Sequence, residues 1–234
     1  MTPTNDFGQP VGDPVDWRGA RAPEPVVLSG ETVELQPLKA GHAAGIAANL
    51  GAHPQLWTYR SDEPPADVKE AAQMLAHGAS ETDHLTFAVV PRTSGEVEGL
   101  SSYFRIDARQ GSLEVGAVIY APTLQRTRAA TEAQYLLMRH AFDELGHRRY
   151  EWKCDSLNQP SRDAAVRLGF TEEGTFRNAS VYKGRNRDTT WFSVTDAEWP
   201  AVRTALETWL ADDNHDEHGQ QRRSLADVRH DARA

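Results

Sequence analysis

Hydrophobic positions recur along this chain with two different periods, and the alternation between them predicts the order of its secondary structure. Apolar residues at every second position predict strands over 32–38, 85–90, 100–106, 113–120, 150–154, 175–182 and 189–194. Apolar residues at helical spacing predict helices over 42–50, 66–77, 131–145 and 161–168. This order predicts one mixed α/β sheet with an antiparallel meander and a central strand–helix–strand crossover.

Two of the predicted helices have recognisable ends. Thr131 is a suitable N-cap for the first of them, and Gly146 is expected to end it. The second is expected to begin after Pro160 and to end at Gly169.

Composition divides the chain into a body and two polar ends. Residues 1–30 contain five prolines and four glycines with few large apolar side chains, which is typical of an extended arm. Residues 31–210 have the length of one domain. Residues 211–234 are polar and of mixed charge, and we expect a tail in which Leu225 and Val228 lie on one loosely docked helix.

Charge and cysteine content narrow the expected partners. The 234 residues carry a formal net charge of −9 without a Lys/Arg-rich run, so nucleic acid is not an expected partner. No stretch approaches the roughly 18 apolar residues of a membrane span, so we expect no membrane association and a cytoplasmic protein. The lone Cys154 cannot form an internal disulfide, which fits a reducing compartment.

The motifs of several common enzyme classes do not occur. The sequence has no P-loop, no dinucleotide-binding glycine motif, no zinc-protease motif and no serine-hydrolase elbow. No two histidines of the body stand at metal-ligand spacing, and we expect no metal. ATP hydrolysis, zinc proteolysis and serine-hydrolase chemistry are therefore disfavoured.

The segment that joins the strand over 113–120 to the next helix is a candidate ligand-binding loop. It reads Ala121-Pro-Thr-Leu-Gln-Arg-Thr-Arg-Ala-Ala-Thr-Glu132. A small-residue loop that opens a helix leaves several backbone N–H groups unpaired at the positive end of that helix. A pyrophosphate can bind at such a helix N-terminus.

This loop, the order of elements and three later segments resemble the GCN5-related N-acetyltransferases (GNAT), specifically the RimJ/RimL-type branch. The later segments are Trp152-Lys-Cys-Asp-Ser-Leu-Asn-Gln-Pro-Ser-Arg162, Leu168-Gly-Phe170 and Glu173-Gly-Thr-Phe-Arg177. The resemblance covers about residues 32–199. It implies a twisted mixed sheet with helices on both faces and a splayed central strand pair.

The resemblance also implies an activity. It predicts an acyl-CoA-dependent N-acyltransferase that moves an acetyl or other small acyl group to a primary amine, such as a protein or peptide α-amine. Transfer is expected to be direct, in a ternary complex. The implied partners are acetyl-CoA or another acyl-CoA and an amine acceptor, and a homodimer is a further hypothesis.

In this family the loop pattern is Q/R-x-x-G-x-G/A, and its backbone amides bind the pyrophosphate of acetyl-CoA. The resemblance therefore implies a cofactor-binding loop formed by Gln125, Arg126, Thr127, Arg128, Ala129 and Ala130. Arg128 stands at the central glycine position, where a positive φ and a close backbone approach are costly for arginine. Arg128 is expected either to weaken the site or to bind the phosphates through its guanidinium, helped by Arg126. A surface arginine at an ordinary helix N-terminus is the structural alternative.

Asn158 and Ser161 match a second family pattern, N-x-x-S, at the start of a helix. The resemblance implies contacts from both residues to the pantetheine arm near the thioester. Ser161 is the candidate donor of a proton to the departing CoA thiolate, and Tyr182 is its rival. Both Asn158 and Ser161 are also good capping residues, so a purely structural role is the alternative.

Glu114 is the candidate general base. An amine acceptor must lose a proton before it attacks the thioester, and Glu114 lies in the strand that leads to the loop, alternating with apolar neighbours. A solvent-facing strand residue is the equal alternative. Cys154 could form an acyl-enzyme, but the sequence places no histidine beside it, and a buried strand cysteine is favoured.

An aromatic loop over 53–60 lies where this family meets its acceptor, and Trp57 and Tyr59 are the candidate substrate-binding residues. Hydrophobic covering of the core is the alternative. Asp62 and Glu63 would suit a cationic acceptor. By contrast, a group of basic residues near the last hairpin would suit an anionic acyl group or substrate: Arg177, Lys183, Arg185 and Arg187. A catalytically weak acyl-CoA-binding module, motivated by Arg128, is the alternative function.

Overall fold

The computed structural model describes residues 2–78 and 84–231. Met1 of the predicted arm and residues 232–234 of the predicted tail lie outside the described residues. Eight strands form one sheet: β1 (Leu28–Ser29), β2 (Val33–Pro37), β3 (Leu85–Pro91), β4 (Gly99–Asp107), β5 (Ser112–Tyr120), β6 (Arg149–Asp155), β7 (Thr171–Tyr182) and β8 (Arg185–Thr195). The spatial order is β1-β2-β3-β4-β5-β6-β8-β7.

The predicted mixed sheet is confirmed. Strands β3, β4 and β5 form the antiparallel meander, and β5 and β6 are the parallel pair joined by a helical crossover. The last hairpin turns at Lys183 and Gly184, whose φ angles of 49° and 70° are typical of the tight turns that match the twist of a hairpin.

Helices lie on both faces of the sheet. They are α1 (Ala43–Ile46), α2 (Val68–Gly78), α3 (Arg128–Arg139), α4 (Gln159–Leu168), α5 (Trp199–Leu210) and α6 (Leu225–Asp231). Alternate residues of β3 feed two different cores, because side chains alternate between the faces of a strand. Phe87 and Val89 belong to the larger core with α3, and Ala88 and Val90 belong to the smaller core with α1 and α2.

The start of α3 differs from the sequence prediction. The N-cap is Thr127, whose Oγ1 accepts a hydrogen bond from the backbone N–H of Ala130 at 3.1 Å, and the helix begins at Arg128. Thr131, the predicted cap, lies one turn inside the helix and is buried. Gly146, at φ 75°, follows the π-helical turn His140–Glu144 that ends the crossover helix.

Both ends of the chain contact the body. In the predicted arm, Trp17 Nε1 donates to the carbonyl of Arg109 at 2.7 Å, and Leu28–Ser29 pairs with β2. In the predicted tail, Leu225 and Val228 are buried on α6. Arg229 of α6 donates to the carbonyl of Val166 at 2.6 Å, near the end of α4.

Two elements of this part of the fold were not predicted from the sequence. Helix α5 buries Trp199, Leu206 and Trp209 against the larger core. The two-residue strand β1 is too short to carry a periodic signal. In the ranges 2–78 and 84–231, none of the helices is both long and apolar enough to cross a membrane.

Candidate active site

The central parallel pair is splayed. β5 and β6 are in register only from Ser112 opposite Arg149 to Val115 opposite Trp152, although β5 continues to Tyr120. Beyond Val115, β5 shifts its register against β4, and Ala117 adopts a left-handed φ of 50°, which marks a β-bulge. The bulge turns β5 away from β6, and the predicted splay of the central strands is confirmed.

A cleft of about 930 Å³ opens at this splay. Seven residues singled out in the sequence line it together: Tyr59, Asp62, Glu114, Cys154, Asn158, Ser161 and Arg187. They come from the loop after α1, from both splayed strands, from the start of α4 and from β8. The fold therefore brings the candidate base, the candidate proton donor and one candidate acceptor contact into one cavity.

Glu114 is buried, in contrast to the solvent-facing alternative. Its Oε2 lies 3.1 Å from Lys153 Nζ and 3.7 Å from Arg105 Nε. Burial raises the pKa of the carboxyl and exceeds the opposing effect of the two cations, while Glu151 on the adjacent strand raises it further. A carboxyl held this way can take up a proton more readily than an ordinary glutamate.

The two cations beside Glu114 share an aromatic support. The guanidinium carbon of Arg105 lies 4.9 Å from the ring centre of Trp191, and Lys153 Nζ lies 5.3 Å from it. Arg105 reaches this position from a left-handed φ of 47°, which is uncommon for a residue with a side chain. These residues carry no signal in the sequence, because their proximity comes from the order β4-β5-β6-β8 in the sheet.

Asn158 and Ser161 form the start of α4. The Asn158 side chain caps the helix by accepting from the Ser161 N–H at 3.3 Å, which leaves its amide Nδ2 without a partner in the part of the chain that the structure describes. Trp152 Nε1 donates to Ser161 Oγ at 3.1 Å, so the hydroxyl proton of Ser161 is not used in that bond. Both the capping role and a cleft-facing polar group are therefore present.

Tyr182, the rival proton donor, is engaged elsewhere. Its hydroxyl donates to Asp155 Oδ2 at 2.8 Å, and burial and the carboxylate both raise the pKa of the phenol. Asp155 is itself buried and lines the cleft, and its Oδ1 accepts from the backbone N–H of Leu157 at 2.9 Å. Asp155 was not singled out in the sequence, and its position in an aspartate-serine turn after β6 is the only local signal.

Cys154 lies in the cleft without an activating base. Burial raises the pKa of its thiol. The contact with Ser161 and the charges of two arginines lower this pKa, but they offset the effect of burial only in part. A thiol with a raised pKa is mainly protonated near neutral pH, and the protonated form is a poor nucleophile.

The loop between β5 and α3 has a fixed conformation. Gln125 Nε2 donates to the carbonyl of Tyr120 at 2.8 Å, and Thr127 Oγ1 donates to the carbonyl of Leu124 at 2.7 Å. The positive φ of the loop, 62°, falls on Arg126 and not on Arg128. The expected conformational cost at Arg128 therefore does not arise, because this residue is the first of an ordinary helix.

The Arg128 side chain is directed at the protein itself. It donates to Asp212 Oδ1 at 2.7 Å, to the carbonyl of Leu210, and to Glu31 Oε2 at 3.4 Å. Glu132 on the next turn accepts from the backbone N–H groups of Glu31 and Thr32, each at 2.7 Å. The start of α3 thus joins both ends of the chain to the body.

Backbone N–H groups remain available at the same helix N-terminus. Among the described residues, the amides of Arg126, Arg128 and Ala129 have no hydrogen-bond acceptor, whereas the amide of Ala130 is used by the cap. This set of unpaired donors fits an anionic group such as a pyrophosphate. Gln125, Thr127 and Ala130 shape the loop.

The two candidate aromatic residues have different positions. Trp57 is only 1% exposed and lies in the smaller core, where its Nε1 donates to the carbonyl of Leu50 at 3.0 Å. It does not line the cleft. Tyr59 does, and its hydroxyl donates to the carbonyl of Leu157 at 3.1 Å across the cleft mouth.

A parallel sheet pair splayed over a polar cleft, next to a helix N-terminus with unpaired amides, defines an acyl-CoA-dependent transferase fold, and comparisons with known proteins agree. Residues 32–171 match the family model of the acetyltransferase (GNAT) domain. The crystal structure of a GCN5-related N-acetyltransferase from Brucella melitensis superposes with a TM-score of 0.89 at 43% identity, over 92% of this chain and 99% of that chain.

Two further proteins are similar over most of their length. The uncharacterized N-acetyltransferase p20 of Bacillus licheniformis is 27% identical over 159 residues, which is 67% of this chain and 89% of that protein. A ribosomal-protein-S5-alanine acetyltransferase from Vibrio fischeri has a TM-score of 0.61 at 19% identity, over 74% of this chain and 98% of that chain. At that identity the last likeness shows the fold alone.

The chain belongs to the GNAT acetyltransferase family. It is an enzyme of the acyltransferase class, and acetyl-CoA is the co-substrate of this family. In the described ranges no cluster of side chains could hold a metal ion.

Proposed function

We propose that this protein transfers an acetyl group from acetyl-CoA directly to a primary amine, and that the acceptor is a protein or peptide α-amine, as in the RimJ/RimL-type branch that the sequence resembles. The observation that carries this proposal is the shared cleft. The buried Glu114 carboxylate and the Ser161 hydroxyl both line the cavity that opens where β5 and β6 diverge.

Glu114 acts as the general base in this proposal. A primary ammonium must lose one proton to present a lone pair to the thioester carbonyl, and Glu114 takes up that proton, directly or through a water molecule. Burial raises the pKa of Glu114, which brings it closer to the pH at which the enzyme works. Lys153 and Arg105 keep the carboxylate in place.

Ser161 returns a proton at the end of the reaction. When the new amide bond forms and the C–S bond breaks, the CoA sulfur leaves as a thiolate and needs one proton. The Ser161 hydroxyl donates it, because Trp152 Nε1 occupies an acceptor position on Oγ and the O–H is not used in that bond. Tyr182 is a weaker candidate, since its proton is held by Asp155.

The start of α3 binds the co-substrate through its backbone. The unpaired amides of Arg126, Arg128 and Ala129 would hold the pyrophosphate, and the Asn158 amide would contact the pantetheine arm. When bound, acetyl-CoA supplies the activated acyl group. The Arg128 guanidinium has its own carboxylate partners and is not assigned to the phosphates.

Glu114→Gln tests the proposal. We expect thiol release from acetyl-CoA with a peptide amine to slow by roughly 100-fold, the lower end of general-base contributions. Because the base works when deprotonated, and because burial raises its pKa, kcat/KM of the natural protein should rise with pH through a value above 4.5, the usual value for glutamate. The variant should lack this rise while its CoA-induced melting shift is kept.

Glu151→Gln is the matched control. Glu151 stands directly opposite Glu114 on β6 but does not line the cleft, and Arg149 already pairs with it at 2.7 Å. This variant should keep the rise of kcat/KM with pH, displaced to lower pH because Glu151 contributes to the raised pKa of Glu114. Equal rates for Glu114→Gln and the natural protein at every pH would reject Glu114 as the base. A melting shift with CoA but no thiol release with any amine would instead indicate an acyl-CoA-binding module.

A further inference from the structure

The charged groups that line the cleft are unequally paired. All three carboxylates have partners: Asp62 accepts from Arg60 Nη2 at 2.8 Å, Glu114 lies beside Lys153 and Arg105, and Asp155 accepts from Tyr182. The sequence left open whether the acceptor is cationic or anionic. Since the cleft carboxylates of the described residues are all engaged, an acceptor that brings additional positive charge gains no free partner among them.

Two cations that line the same cleft have no acidic partner among the described residues: Lys39, which is exposed, and Arg187. Arg187 of β8 is half-buried and lines the cavity, and its Nε donates to Thr189 Oγ1 at 3.2 Å. Its guanidinium carbon lies 5.9 Å from the ring centre of Tyr182. Within residues 2–78 and 84–231, no carboxylate lies within ion-pair distance of Arg187, and its two Nη atoms donate no hydrogen bond.

The other basic residues of this region are already used. Lys183, at the turn of the same hairpin, donates to Glu63 Oε2 at 3.2 Å and to the carbonyl of Trp57 at 3.0 Å. Arg60 is held by Asp62 and also donates to the carbonyl of Ala117 at 3.0 Å. Arg187 is therefore the basic side chain on this hairpin that both reaches the cleft and keeps donors free.

The position of Arg187 on the sheet indicates what it would bind. Thr189 pairs with Asp155 in the register of β6 and β8, and Arg187 stands two positions before Thr189 on the same face of β8. Cys154 points to the opposite face, where Ser161 of α4 contacts it. Arg187 thus lies beside the Tyr182 ring on the face of Asp155, opposite to the face on which Ser161 contacts Cys154.

The half-buried guanidinium of Arg187 has lost part of its hydration, and the bond to Thr189 and the Tyr182 ring replace only some of it, because neither supplies a counter-charge. A planar carboxylate would supply the missing counter-charge, because it can accept two hydrogen bonds from the forked guanidinium of Arg187. We propose that the acceptor of this enzyme carries a carboxylate close to its reactive amine, and that Arg187 binds that carboxylate. This inference rests on the proposed amine acetylation and names its substrate class: peptides with an acidic residue at one of their first two positions.

The test compares matched peptides. Each pair has a free α-amine and the same sequence, except for Glu or Gln at position one or at position two. We expect kcat/KM for at least one acidic peptide to exceed that for its amide partner by about tenfold or more, because a hydrogen bond to a charged group contributes roughly that factor. Arg187→Met should remove this preference, so that the acidic and amide peptides of each pair react with equal kcat/KM.

Two variants serve as controls. Arg185→Met removes an exposed arginine of the same hairpin that does not line the cleft, and it should keep the preference. Arg187→Lys keeps the charge but loses the planar fork, and it should retain only part of the preference. A melting curve of each variant checks that the fold is intact.

The outcomes separate this inference from the proposed function. Equal rates on acidic and amide peptides, with turnover of both, would overturn the carboxylate proposal and leave amine acetylation standing. No turnover of any peptide amine would count against the proposed function itself. If Arg187→Met slowed transfer only when succinyl-CoA replaced acetyl-CoA, the carboxylate that Arg187 binds would belong to the acyl group. That result would also overturn the proposal.

Discussion

The N-termini of α3 and α4 are equivalent in topology but differ in what they offer a ligand. Each helix follows one of the two splayed parallel strands, and each has a side-chain cap, Thr127 for α3 and Asn158 for α4. At α3 the neighbouring side chains are directed into the protein, and unpaired backbone amides remain. At α4 the Asn158 amide and the Ser161 hydroxyl remain available in the cleft.

This difference separates two ways of binding one extended ligand. Backbone amides recognise a phosphate without regard to the side chains attached to them, so the loop before α3 tolerates an arginine in place of a glycine when the arginine points elsewhere. Side chains at α4 act on individual atoms and are sensitive to replacement. The loss of a side-chain group is thus expected to have different effects at the two helices.

Removal of the α4 hydroxyl should give the largest effect. Ser161→Ala is expected to slow acetyl transfer by roughly 100-fold, because a positioned proton donor contributes at least that factor, and to leave the affinity for CoA within about threefold. Transfer rates and titration calorimetry measure the two quantities. Ser156→Ala, on the turn before α4, is the control and should behave like the natural protein. If Ser161→Ala weakened CoA binding as much as transfer, Ser161 would be a binding contact only.

Removal of one α3 amide should give a smaller effect, confined to binding. Arg128→Pro deletes the first N–H of the helix, and proline fits this position because Thr127 before it is extended, with ψ 166°. We expect CoA affinity to fall about tenfold or more, as a hydrogen bond to a charged group is lost.

Arg128→Ala is the matched variant, since it keeps the amide and removes the guanidinium. It should leave CoA affinity within about twofold and reduce stability by at most about 1 kcal/mol, because Asp212, the partner at 2.7 Å, is itself highly exposed. An equal loss of affinity in both variants would show that the guanidinium, and not the amide, binds the phosphates.

The two caps should give the smallest effects. Thr127→Ala and Asn158→Ala each remove one cap and are expected to lower the free energy of unfolding by about 1 kcal/mol. Only Asn158→Ala should also slow transfer per folded molecule, because its Nδ2 faces the proposed pantetheine path. Denaturant unfolding and thiol release on the same samples make the comparison, and slower transfer in both variants would remove the distinction.

Much of the fold was predictable because it depends on local periodicity. The meander, the crossover and the last hairpin each follow from runs of alternating or helical apolar residues. The start of α3 was not predicted correctly, since Thr127 and Thr131 are both suitable caps and differ by one helical turn. The choice between them is made by burial, which places Thr131 against α4, where Arg167 donates to its Oγ1 at 2.9 Å.

The candidate site was predictable to a lesser extent. Glu114, Asn158 and Ser161 meet in one cleft because the topology joins the ends of two parallel strands, as the resemblance implies. The partners of Arg128 could not be predicted, since Asp212 is 84 residues away in sequence and no pattern connects them. The cation pair on Trp191 was missed for the same reason.

The contact between α6 and α4 has a consequence for synthesis of the chain. Arg229 donates to the carbonyl of Val166, and the two residues are separated by 63 positions. At translation rates of about 5–20 residues per second, the end of the helix that carries Ser161 waits roughly 3–13 s for this partner. During that interval water takes the place of the Arg229 guanidinium at the Val166 carbonyl, so this helix reaches its final stability only late in biosynthesis.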